Sequence, residues 1–120
     1  MKTMEKKFIL YSFNGEGMCF AHVLLNAMEM HGKGYDVLIV VEGSSVKMIK
    51  EFHEDEKHPF NDLYSKVKSA NLIHGVCLAC ATKMKVVEAV KAEKLPLIGS
   101  MSGHPPMSEF IDKGYQIITF

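Results

Sequence analysis

The chain has 120 residues, 48% of them hydrophobic and 23% charged, which is the composition of an ordinary globular protein. Lys+Arg and Asp+Glu both number 14, so the formal net charge is zero, whereas a duplex-binding surface needs a basic excess; no nucleic-acid partner is expected. The length fits a single domain over residues 1–120, which would bury about two thirds of the extended chain's surface.

Lys2, Lys6 and Lys7 stand ahead of the apolar run Phe8-Ile9-Leu10-Tyr11, an order that imitates a secretory leader. The run is too short for a leader core, Asn14-Gly15-Glu16 follows at once, and no small-residue cleavage pattern appears. It reads instead as a strand over residues 8–13. No apolar stretch nears the roughly 20 residues of a spanning helix, so a cytoplasmic protein without a membrane partner is expected.

Phe20, Leu24, Ala27 and His31 then recur at helical spacing, and Gly32 and Gly34 end that helix. Residues 37–41 form an apolar second strand closed by Gly43, and Ser44 or Ser45 caps a short helix through Phe52. A charged connection over residues 53–58 precedes Pro59, and Phe60, Leu63, Tyr64 and Val67 mark the next helix. Residues 72–77 read as the third strand. Cys80, Met84, Val87 and Val90 mark one face of one following helix, with Lys83, Lys85, Glu88 and Lys91 solvated. Residues 96–99 are a short fourth strand, 103–106 a loop, 107–113 a helix ended by Gly114, and 116–120 a fifth strand. Strands that alternate with helices and carry near-continuous apolar runs predict an α/β fold, a mainly parallel sheet of about five strands with helices on both faces.

In such sheets chemistry gathers at the carboxyl ends of the strands. That edge is lined by residues 14–19, 42–45, 77–80 and 100–106. Cys77 and Cys80 form a C-x-x-C pair at a strand-to-helix junction and are the candidate catalytic residues. A thiol there meets the positive end of a helix dipole and free N–H groups, so a thiolate is expected at Cys77. Cys80 also shares the apolar stripe of Met84 and Val87, where cysteine packs well. Asn14, Cys19, Ser44, Met101 and His104 are candidate binding or pocket residues. Cys19 opens the first helix on the same edge, either as a relay thiol or packed under the loop. His104, in Gly103-His104-Pro105-Pro106, is either a base beside a thiol or a turn residue. Met101 and Met107 flank that loop and line an apolar pocket or a subunit contact.

Three cysteines are too few for a disulfide scaffold and point to a reducing compartment. Cys19, Cys77, Cys80 and His104 are soft ligands, but only one short-spaced pair exists, so no metal is expected. The sequence has no G-x-G-x-x-G, no phosphate-binding loop and no G-x-S-x-G, so no cofactor is expected either.

The order of segments resembles the DsrE/DsrF-like family of small sulfur-relay proteins along nearly the whole chain. Asp36 to Gly43 followed by Ser44-Ser45-Val46 looks like that family's second strand and next helix start. Val76-Cys77-Leu78-Ala79-Cys80-Ala81 looks like the strand end where active members carry their cysteine, and residues 110–120 look like the closing helix and strand. The resemblance implies a three-layer α/β/α sandwich and a homo-oligomer, a trimer or hexamer. It implies sulfur transfer through a persulfide on Cys77, with sulfur donor and acceptor proteins as partners. Cys80 departs from the family, where alanine is common, and keeps open a dithiol redox module on the C-x-x-C pair. A non-catalytic oligomeric binding protein is the third reading.

Overall fold

A computed structural model describes residues 6–120; Lys2 of the basic start lies outside the described residues. The elements are β1 (Lys7–Ser12), α1 (Gly17–Gly32), β2 (Asp36–Val41), a 3₁₀ turn (Gly43–Ser45), α2 (Val46–Glu54), α3 (Asn61–Ser69), β3 (Ile73–Cys77), α4 (Leu78–Lys83), α5 (Val87–Ala92), β4 (Leu97–Ile98), α6 (Ser108–Asp112) and β5 (Gln116–Thr119). The strands form one five-stranded sheet in the order β4-β3-β2-β1-β5, and every neighbouring pair is parallel.

That order fixes an uneven sandwich. From β1 to β4 the chain steps always in one direction, and right-handed crossovers then put every connecting helix on one face. Leu10, Ile39, Val41, Ile73 and Val76 of the sheet accordingly bury against Phe20 of α1, Ile49 of α2, Val67 of α3, Ala81 of α4 and Val90 of α5. The step from β4 to β5 returns across the whole sheet, so it crosses the opposite face. There Ile9, Tyr11 and Val40 meet Phe110 of the five-residue α6. The result is a three-layer α/β/α sandwich with one thick and one thin helical layer.

Two local features differ from the sequence expectation. Met84 does not continue an apolar stripe: α4 ends at Lys83, Lys85 adopts φ +60°, and Met84 is exposed. The Val86 N–H bonds to the Ala81 carbonyl at 2.9 Å, a closing motif that ends one helix and starts another. Ser45 precedes α2 but makes no side-chain cap. Its buried hydroxyl lies 2.6 Å from both the Ser12 and Glu42 carbonyls, tying the ends of β1 and β2 together beside the functional edge.

A bulge sits in β3. Ile39 pairs with Ile73 but Val40 pairs with Gly75, which leaves His74 as an extra residue. Ile73 and Val76 therefore both face the thick layer, although three residues apart, and Cys77 is turned away from it. His74 packs edge-on against Phe110 at 4.9 Å, on the thin-layer side of the sheet.

Candidate functional site

Three strand ends meet at one point. Glu42 follows β2, whose Val41 is paired with Val76 of β3, and Cys77 is paired with Ile98 of β4. The loop after β4 folds back, and Met101 and His104 bond reciprocally through their backbones at 3.0 and 2.9 Å. The Ala79 N–H donates to the Gly103 carbonyl at 2.8 Å and pins the loop over α4. Gly103 has φ +93°, and a Cβ there would sit 3.0 Å from the Ala79 methyl, so only glycine fits this approach comfortably.

His104 is thereby held with Nδ1 3.2 Å from the Cys77 sulfur. The Cys80 N–H donates to the same sulfur at 3.4 Å, and the Cys77 S–H also reaches the Gly103 carbonyl at 3.7 Å. The Cys80 sulfur accepts from the Gly43 N–H at 3.3 Å. Gly43 has φ +55°, and a Cβ there would lie 2.7 Å from the Phe13 carbonyl oxygen, so this contact depends on glycine. A carboxylate oxygen of Glu42 lies 3.9 Å from His104 Nδ1. One side-chain donor atom from each of Glu42, Cys77, Cys80 and His104 falls within 4.8 Å of the others.

Electrostatics here contradict a freely ionised Cys77. Burial pushes its thiol up to about 12, and the Cys80 N–H offsets only part of that; the neighbouring Cys80 and Glu42 add to the rise. The short α4 places one N–H on the sulfur, but the surrounding side chains exclude the water a thiolate needs. Glu42 is likewise raised by burial, against the opposing pull of His104 and a hydrogen bond from Cys77. Cys77 is fully buried, Cys80 half-buried, and His104 remains 43% exposed at its side chain. At neutral pH the sulfur is a thiol with a base in hydrogen-bond reach and a carboxylate near that base.

The other sequence candidates fall around this cluster. Asn14 accepts the Glu16 N–H at 2.9 Å and shapes the turn after β1. Ser44 accepts the Gly15 N–H at 2.8 Å and donates to the Phe13 carbonyl at 3.3 Å, and it lines a cleft with Cys80, Lys83 and Met84. Cys19 sits in the first turn of α1, where a hydrogen bond to Glu16 raises its thiol, and it is outside the four-residue cluster. Met101 lines a second cleft, of about 480 Å³, with Phe13, Glu42, His104 and Met107. Glu42 was not singled out from the sequence. Its signal was an acidic residue directly after an apolar strand, at the edge where ligands bind.

The DsrE/DsrF-like family matches residues 6–120 of this sequence. The chain belongs to that family. An uncharacterized protein of Methanocaldococcus jannaschii is similar to it, 35% identical over 119 residues, which cover 96% of this chain and 94% of the relative. A shorter uncharacterized protein of Archaeoglobus fulgidus is 29% identical over 51 residues, 42% of this chain and 84% of that relative. No solved structure matches the chain. Among the described residues no helix is long and apolar enough to cross a membrane.

Proposed function

We propose that the protein is a sulfur carrier of the DsrE/DsrF-like family, acting as one domain over residues 1–120, and that Cys77 holds the transferred sulfur as a persulfide. The observation that carries this reading is the Cys77 sulfur at a strand end, 3.2 Å from His104 Nδ1 and 3.4 Å from the Cys80 N–H. His104 takes the Cys77 proton, and Glu42 offsets the imidazolium charge. The thiolate attacks the outer sulfur of a donor persulfide; a new S–S bond forms at Cys77 and the donor's S–S bond breaks. The donor leaves as a thiolate and regains the proton from His104. His104 then takes the proton of an acceptor thiol, the acceptor sulfur attacks the outer sulfur, the S–S bond at Cys77 breaks, and the Cys77 thiolate takes that proton back from His104.

Burial suits a carrier, because it shields the persulfide from stray thiols between donor and acceptor. Entry requires the loop bearing His104 to swing aside, and that loop borders the cleft of Phe13, Met101 and Met107. In this reading the donor and acceptor are proteins of the reducing cytoplasm, and the subunit assembles as a homo-oligomer, a trimer or hexamer. Whole-chain mass spectrometry after incubation with a persulfide donor tests it. Wild type and Cys19→Ala should gain one sulfur atom and Cys77→Ala none; equal loading of Cys77→Ala overturns the assignment.

One observation favours a second reading, a dithiol redox module. The Cys77 and Cys80 sulfurs lie within 4.8 Å, one buried and one half-exposed. A small-molecule disulfide should then remove two thiols from one chain and leave an internal disulfide. No such paired loss under a redox titration rules this reading out.

A further inference from the structure

We infer that Glu42, Cys77, Cys80 and His104 together form a four-ligand site for a thiophilic divalent cation, zinc above all. The donor set is two sulfurs, one imidazole nitrogen and one carboxylate oxygen, all within 4.8 Å of one another. Tetrahedral zinc, with bonds of about 2.0–2.3 Å, holds its ligand atoms about 3.3–3.8 Å apart. The separation from Cys77 Sγ to His104 Nδ1 is 3.2 Å, and that from His104 Nδ1 to Glu42 is 3.9 Å, on either side of that range. The widest pair has to close by only about 1 Å.

The scaffold supports the geometry. Glu42 and Cys77 extend from directly paired strands, and Cys80 is one helical turn beyond Cys77, the spacing with which C-x-x-C chelates. Glu42 is the first residue past β2, and His104, from the loop after β4, already lies with its Nδ1 3.2 Å from the Cys77 sulfur. The site also explains Glu42, whose side chain is nine-tenths buried. Among the described residues its one basic neighbour within 4 Å is His104, whereas a bound dication supplies the missing positive charge. Sulfur ligands disfavour calcium and magnesium, which take oxygen, and the added nitrogen and oxygen suit zinc's borderline character. Binding displaces one proton from each thiol into solvent and moves no electrons.

Zinc and transferred sulfur would compete for the same Cys77 sulfur, a consequence that rests on the carrier reading. The metal site itself does not. The test is titration of the reduced, chelator-treated full chain with cobalt(II), then zinc(II). One equivalent of cobalt per chain should give a thiolate-to-metal charge-transfer band and intense tetrahedral d–d bands, both removed by zinc. Cys80→Ser should lose part of the charge-transfer intensity and weaken binding about tenfold or more. Glu42→Gln, nearly isosteric, should keep the charge-transfer band and weaken binding about tenfold. Circular dichroism of each variant checks that it is folded. Absence of the charge-transfer band in wild type overturns the site. So does unchanged affinity in both Glu42→Gln and His104→Ala, or a Cys19→Ser loss as large as that of Cys80→Ser. Sulfur loading of the metal-free chain is scored separately: loading without metal binding removes only the site, and metal binding without loading removes only the carrier reading.

Discussion

The sulfur of Cys77 lies among groups that pull in opposite directions. Burial and the nearby Glu42 hold it protonated, while the Cys80 N–H favours the anion and His104 is placed to accept the proton. A buried thiol of this kind reacts only as fast as its base removes the proton. His104→Ala should therefore slow sulfur loading at neutral pH by about 10²-fold or more, without changing the final stoichiometry. Stopped-time mass measurements check it, and an unchanged rate would leave His104 as a loop residue. Gly43→Ala should destabilise the chain by about 1–3 kcal/mol, because it places a Cβ at φ +55° against the Phe13 carbonyl. It should also disturb Cys80, whose sulfur rests on the Gly43 N–H. Urea melts and Cys80 alkylation rates report the two effects.

At the scale of elements, several helices share one ending. Tyr35, Leu72, Val86, Leu95 and Tyr115 each donate an N–H to the carbonyl five residues back. The residue before each is left-handed: glycine at Gly34 and Gly114, but Asn71, Lys85 and Lys94 elsewhere. Lys85→Gly and Lys94→Gly should each stabilise the fold by about 0.5–1 kcal/mol, measured by urea denaturation. Loss of stability in both would mean that their side chains make contacts worth more than the strain. Glu93 ties α2, α3 and α5, accepting from Tyr64, Lys68 and His53 at 2.7 Å each. Burial alone would raise its carboxyl, but these partners hold it down at about 2. A depressed carboxyl stabilises the fold above its ordinary titration range, and that contribution disappears as pH falls toward 2. Glu93→Gln should lower stability at neutral pH and flatten the acid limb of a stability–pH curve; an unchanged acid limb contradicts this.

The same elements show what periodicity could reveal. The strand runs and the C-x-x-C junction were legible because buried parallel strands need unbroken apolar stretches. The break at Lys85 was not, since a lysine in the left-handed region gives no compositional sign. The bulge at His74 was also hidden, because every residue around it is apolar or small, and that bulge aims Cys77. Glu42 and His104 were legible only as members of edge loops. Their meeting depends on register between β2, β3 and β4 and on the reversal at Met101, which no local pattern encodes.

On the scale of the whole molecule, the thin layer is the unfinished one. One short helix covers the face of Ile9, Tyr11 and Val40, and Phe13, Met101 and Ile111 remain exposed around it. With zero net charge nothing general repels a second copy. The proposed oligomer should bury these side chains, so light scattering should give an integral multiple of 13.5 kDa, and Ile111→Glu with Met101→Glu should lower it. A monomer at all concentrations would leave that face exposed in solution. The carrier function meets its most direct test in locating the sulfur on the intact chain. After loading from a persulfide donor, the product is trapped by alkylation, cleaved and mapped peptide by peptide. The extra sulfur is predicted on Cys77 alone; finding it on Cys80 or Cys19, or on none of the three, contradicts the account.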